Sequence, residues 1–138
     1  MAFWLMKSEP DVFSIEDLRR KDVAGWDGVR NYQARKNLRA MRRGDTALFY
    51  HSSIHPPAIV GTMEIVREAY PDSTATEKGW EQVDVKFVDA FPESLTLEEI
   101  KKIPALQSMV LLKNTRLSVQ PVTPAEWNVI IDNLQKRG

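Results

Sequence analysis

The chain has 138 residues, 43% hydrophobic and 28% charged, and its 19 Lys and Arg balance its 19 Asp and Glu. That size reads as one domain over residues 1–138, able to bury roughly two-thirds of its unfolded surface. The lack of cysteine excludes a disulfide framework and thiolate chemistry, and two histidines are too few for a metal site. No apolar run approaches the roughly 20 residues of a membrane span. Met1 to Met6 is apolar but too short for a signal peptide, and Lys7, Glu9 and Asp11 follow at once, so a cytoplasmic or nucleoid-associated protein is expected.

In chain order, Phe3-Trp4-Leu5-Met6 reads as a buried strand ending at Ser8-Glu9-Pro10. Ser14 with Asp17 makes a capping signal for a short helix that turns Ile15 and Leu18 inward. Gly25 and Gly28 bracket a turn at Trp26. Asn31 is an N-cap for a helix from about Tyr32 to Met41. On that helix Ala34, Leu38 and Met41 form a narrow apolar stripe, while Arg35, Lys36, Arg39, Arg42 and Arg43 share a separate arc with Tyr32. Thr46 to His51 is a second strand and Ala58 to Val66 a third, with Gly61 marking a bulge or close approach. Val83, Val85 and Phe87 alternate with Asp84 and Lys86, the period of a half-buried strand. Thr96 with Glu99 caps a short helix, and Leu117 to Pro121 is a short extended segment. Thr123-Pro124-Ala125-Glu126 opens a final helix whose Trp127, Ile130, Ile131 and Leu134 share one face. The pattern predicts an α+β fold, a curled sheet or small barrel of mostly antiparallel strands with peripheral short helices.

The charge distribution is uneven. Between Arg30 and Arg43 stand six basic residues and no acidic one, which leaves 13 Lys and Arg against 19 Asp and Glu elsewhere. A local cation cluster beside Trp26 and Tyr32 suits a ligand with phosphates and flat bases. The plain alternative is a solvated face, but no Asp or Glu four residues ahead supports intrahelical pairing. Trp26, between two glycines, reads as a poor core anchor, and Trp80 is equally ambiguous. Trp4 and Trp127 read as core. Lys7-Ser8-Glu9 reads as a polar strand end lining a pocket, since adjacent strand side chains point to opposite faces. His51 reads as a hydrogen-bonding partner within the fold. No P-loop, dinucleotide fingerprint or metal-ligand spacing is present, so the residues point to binding, with no catalytic residue, metal or cofactor.

Trp4 to Pro10, Trp26 to Arg35, Phe49 to Ser52, Glu68 to Asp72 and Arg116 to Pro121 together resemble the successive motifs of EVE-domain proteins. The resemblance implies a PUA-like twisted pseudo-barrel and kinship with YTH domains, which read methylated adenine in RNA. It implies recognition of a modified base, modified cytosine in DNA first and a modified RNA base second. Lys7, Ser8, Trp26, Val29, Arg30, Asn31, Tyr32, His51 and Ser118 would line the pocket, with Arg35, Lys36, Arg39, Arg42 and Arg43 contacting phosphate. Lys36 departs from the family pattern, which continues with Asn; here Asn arrives one place later, at Asn37. The expected act is base flipping into a pocket beside Trp26 and Tyr32 by a monomer, with any downstream effector a separate protein. Two alternatives stand. An ASCH-like hydrolase of modified nucleosides would use a Lys-Thr-Glu set; Lys7 and Glu9 are present but no partner threonine is evident. A small-molecule or protein interaction module would use the basic face for an acidic partner.

Overall fold

The computed structural model describes residues 1–137. Six strands form one sheet: β1 (Phe3–Ser8), β2 (Val23–Gly25), β3 (Thr46–His51), β4 (Ala58–Pro71), β5 (Glu81–Thr96) and β6 (Val119–Val122). Their spatial order is β2-β5-β4-β3-β1-β6. The helices are α1 (Ile15–Lys21), α2 (Tyr32–Ala40), α3 (Leu97–Lys101), α4 (Val110–Lys113) and α5 (Pro124–Arg137). Among the described residues only β1 and β3 run parallel, because α1, β2 and α2 lie between them in the chain and provide the crossover.

Strand alternation divides the apolar residues into two cores. Trp4 and Met6 of β1 and Ala47 and Phe49 of β3 face one core, with Leu18 of α1 and Ala34 and Leu38 of α2. Leu5, Leu48 and Tyr50 face the other, with Ile100 of α3 and Ile130 and Leu134 of α5. Helix α2 packs against β6 at one edge and also against β4 and β5 near the other, so the sheet must curl around it. Register shifts along β4 and β5 supply the bend. The α+β reading and the curled sheet are thus observed.

The local start signals also hold. Ser14 and Thr96 form capping boxes with Asp17 and Glu99, and Asn31 Oδ1 accepts from the Ala34 N–H at 2.9 Å. Thr123 Oγ1 accepts from the Glu126 N–H at 3.1 Å, and Glu126 returns the bond to Thr123 N–H at 3.0 Å.

Three expectations need correction. Helix α2 ends at Ala40, with Met41 extended at φ −67°, ψ 144°, so Arg42 and Arg43 lie in the following turn and not on the helical arc. Strands β4 and β5 are longer than their alternating stretches, because their pairing continues to the Pro71–Glu81 end of the hairpin through irregular register. Trp26 is a core residue at 7% exposure, edge-on to Phe49 (5.3 Å between ring centroids) and Phe13 (6.3 Å). Its flanking glycines let the backbone bend while the indole points inward.

Gly61 shows the close approach expected of it. A methyl group there would lie 2.4 Å from the Asp89 carbonyl oxygen and 2.7 Å from Ile15 Cδ1. Gly61→Ala is therefore expected to lower unfolding free energy by about 1–3 kcal/mol through overpacking. Urea denaturation measures this, and an unchanged midpoint would contradict the packing at the β4 bend.

Candidate functional site

The parallel pair brings the carboxyl ends of β1 and β3 together, with Ser8 beside His51 in register. Between the end of β1 and the loop after β2 a cavity of about 500 Å3 opens, within the usual size range of ligand sites. Lys7, Ser8, Phe13, Trp26, Asp27 and Gly28 line it, with Glu9, Val12, Lys21, Ala24 and Gly25 completing the wall. Its floor is aromatic and its rim mixes two lysines with two carboxylates. Burial pushes the Lys7 ammonium below the usual lysine range. That group donates to the Thr115 carbonyl at 2.8 Å, and Ser8 Oγ donates to the Phe13 carbonyl at 2.6 Å. The Ser8 oxygen keeps a lone pair with which to accept from a ligand.

The loop from Trp26 to Asn31, whose first three residues line the cavity, is held by Asp72. Its side chain is fully buried, and Oδ2 accepts from the Gly28 N–H at 2.8 Å and from Arg30 Nη1 at 3.0 Å. Oδ1 accepts from the Thr74 N–H at 2.8 Å and its hydroxyl at 2.6 Å. Burial alone would raise the Asp72 pKa, but the bonds from Thr74, Gly28 and Arg30 outweigh it and hold the carboxyl down at about 2. Gly28 sits at φ +80°, a conformation that other residues adopt only with strain.

Beyond this loop, Tyr32 and Trp80 stack with ring centroids 5.3 Å apart and planes 25° apart. Arg35 Cζ lies 5.0 Å from the Tyr32 centroid and 5.2 Å from that of Trp80, and Arg30 Cζ lies 5.8 Å from Trp80.

The residues expected at the site therefore separate. Lys7, Ser8 and Trp26 meet at the cavity. Val29 is buried in the core, and Asn31 spends its side-chain oxygen on capping α2. Arg30 and Tyr32 lie on the outer side of the loop, with Trp80. His51 does bond within the fold: Nε2 accepts from the Ile15 N–H at 3.1 Å, and burial lowers its pKa, favouring the neutral acceptor. Ser118 is half-buried, and its carbonyl accepts from the Lys7 N–H at 2.9 Å.

The basic residues are partly engaged. Arg39 pairs with Glu81, Arg35 Nη1 donates to the Gly79 carbonyl at 3.0 Å, and Arg42 Nη1 donates to the Arg39 and Met41 carbonyls. Lys36 and Arg43 are exposed. Asn37 is buried and donates to the Val119 carbonyl at 2.7 Å, so the displaced asparagine joins α2 to β6.

Sequence reasoning missed Phe13, Lys21 and Asp27 as cavity residues and Asp72 as the anchor. Asp72 did carry a local signal, an Asp followed two residues on by Thr, which favours a turn closed by the Asp side chain.

A family model described as the EVE domain matches residues 2–133. Human thymocyte nuclear protein 1 is 42% identical, over 98% of this chain and 75% of its own length. Among solved structures, human THYN1 in complex with 5-methylcytosine-containing DNA aligns at a TM-score of 0.91 and 40% identity, covering 98% of each chain. The Mmi1 YTH domain shares the fold alone, at a TM-score of 0.63 and 8% identity over 99% of this chain and 89% of that one.

Because the Asp72 pKa is depressed on folding, its contribution to stability is complete above its ordinary value of 3.8 and is lost as pH falls through about 2. Glu99, held at about 2 by Arg137 and Thr96, adds to the same acid limb. Asp72→Asn is expected to make stability fall less steeply over that window, read by thermal unfolding across pH. An unchanged slope would contradict the anchoring role.

Proposed function

The chain belongs to the EVE-domain family, and from that premise we propose that it is a nucleic-acid-binding module that takes a modified base, modified cytosine in DNA first, into the cavity beside Trp26. The observation that carries this reading is the aromatic-floored, polar-rimmed cavity between the end of β1 and the loop after β2. The complex of the human relative with 5-methylcytosine-containing DNA supports it. A cytosine ring set against Trp26 and Phe13 would present its exocyclic amino group to carboxylates such as Asp27 or Glu9, which accept from that group. Lys7 and the Ser8 hydroxyl oxygen are the candidates for its remaining polar edge.

Flipping a base costs a few kcal/mol of unstacking, to be offset by stacking on aromatic rings and by phosphate contacts. A buried methyl group contributes only about 0.8 kcal/mol, roughly a fourfold preference. Stronger discrimination therefore rests on cavity shape and on polar groups left unpaired by the wrong base. A role as a hydrolase has less support. The Lys7 ammonium donates to the Thr115 backbone carbonyl at 2.8 Å, a contact that brings no threonine hydroxyl to a Lys-Thr-Glu set with Glu9.

The test is a binding screen over modified and unmodified DNA and RNA oligonucleotides at two salt concentrations. Tighter binding of a modified DNA is expected, with Lys36→Ala and Arg43→Ala weakening all oligonucleotides alike and each lowering the salt slope by about 0.9 on duplex DNA. Ser8→Ala is expected to narrow the gap between modified and unmodified DNA. Trp26→Ala is a poor probe, because emptying a core tryptophan site costs about 3–5 kcal/mol of stability. Salt-insensitive binding, or no preference for any modification, would contradict the proposal.

A further inference from the structure

Tyr32 is 71% exposed, although one face of its ring lies against Trp80. A ring that remains mostly in water adds little to folding, yet its surroundings are fixed. Arg35 is tied to the Gly79 carbonyl, and Arg30 to Asp72 and to Thr74 Oγ1 at 3.3 Å. The pair is thus oriented before any ligand arrives, which lowers the ordering cost of binding. Two guanidinium groups beside two stacked rings match a nucleotide, with a π-face for the base and cations for its phosphate.

The loop also relates this cluster to the cavity. Gly28 lines the cavity and Arg30 flanks Trp80, and both donate to the same oxygen of Asp72. The two features are thus held by one anchor on one short loop, Gly28 and Tyr32 standing four residues apart in the chain. On its Arg30 side, Trp80 borders a hollow of about 260 Å3 shared with Thr76 and Glu77, where a carboxylate disfavours phosphate. The face left for stacking is therefore that of Tyr32.

We propose that the Tyr32–Trp80 pair, flanked by Arg30 and Arg35, is a second stacking subsite that takes the base next to the one held in the cavity. This rests on the base-reading role proposed above. The subsite supplies affinity and sets the path of the strand, while the cavity reads the modification.

The experiment measures dissociation constants for a duplex with one 5-methylcytosine, its unmodified counterpart, and two modified duplexes each carrying an abasic site on one flank of the modified base. Tyr32→Ala is expected to weaken binding of both intact duplexes by about 5- to 150-fold, the range for one lost base stack, leaving their affinity ratio unchanged. Tyr32→Phe, which keeps the ring, is expected to bind like wild type. On one abasic duplex the difference between wild type and Tyr32→Ala is expected to vanish. Wild-type affinity in Tyr32→Ala, or a loss that persists on both abasic duplexes, would overturn the subsite. The cavity reading fails on a different readout, a wild-type protein that binds both intact duplexes equally.

Discussion

The buried carboxylate of Asp72 is the constraint on which the site depends. It accepts two hydrogen bonds from the Trp26–Asn31 loop, one of them from a guanidinium group, and two from Thr74 within its own turn after β4. A fully buried charge is costly to desolvate, and such pairs often add little net stability compared with apolar packing. Its consequence here is positional. With Gly28 and Arg30 fixed to one oxygen atom, the loop presents a cavity wall on one side and an aromatic pair on the other.

The sheet determines what that wall faces. The parallel β1–β3 pair sets two strand ends side by side, and α1 starts beside them with its first N–H on His51. Trp26 meets Phe13 and Phe49 edge-on, and Phe13 lies tilted against Phe49. Trp26 thus serves two ends: most of the indole stabilises the core, and the remainder lines the cavity. A binding surface built on core side chains stays rigid, which suits discrimination between bases that differ by a small substituent.

Much of this was legible in the sequence because the signals are local. Capping pairs such as Ser14 with Asp17 and Thr96 with Glu99 lie three residues apart and satisfy the orphan amides of their own helices. The strand end at Lys7 and Ser8 was readable from polarity alone. The errors concern distant partners. Whether Arg39 is free depends on Glu81, and what Arg30 does depends on Asp72, each about 40 residues further along. Trp26 was misread because neighbouring glycines describe the backbone and not the direction of the side chain. Short β2 and α4 carry too few residues to show a period, and they form where tertiary packing places them.

The most direct test of a base held beside Trp26 is an NMR titration of the isotope-labelled protein with a duplex containing one 5-methylcytosine. The expected result is that the Trp26 indole signal and the amides of Lys7, Ser8, Phe13 and Gly28 shift together and saturate at one protein per modified site. Shifts confined to Lys36, Arg42 and Arg43, with the cavity signals unmoved at saturation, would contradict the account and leave only a phosphate-binding surface.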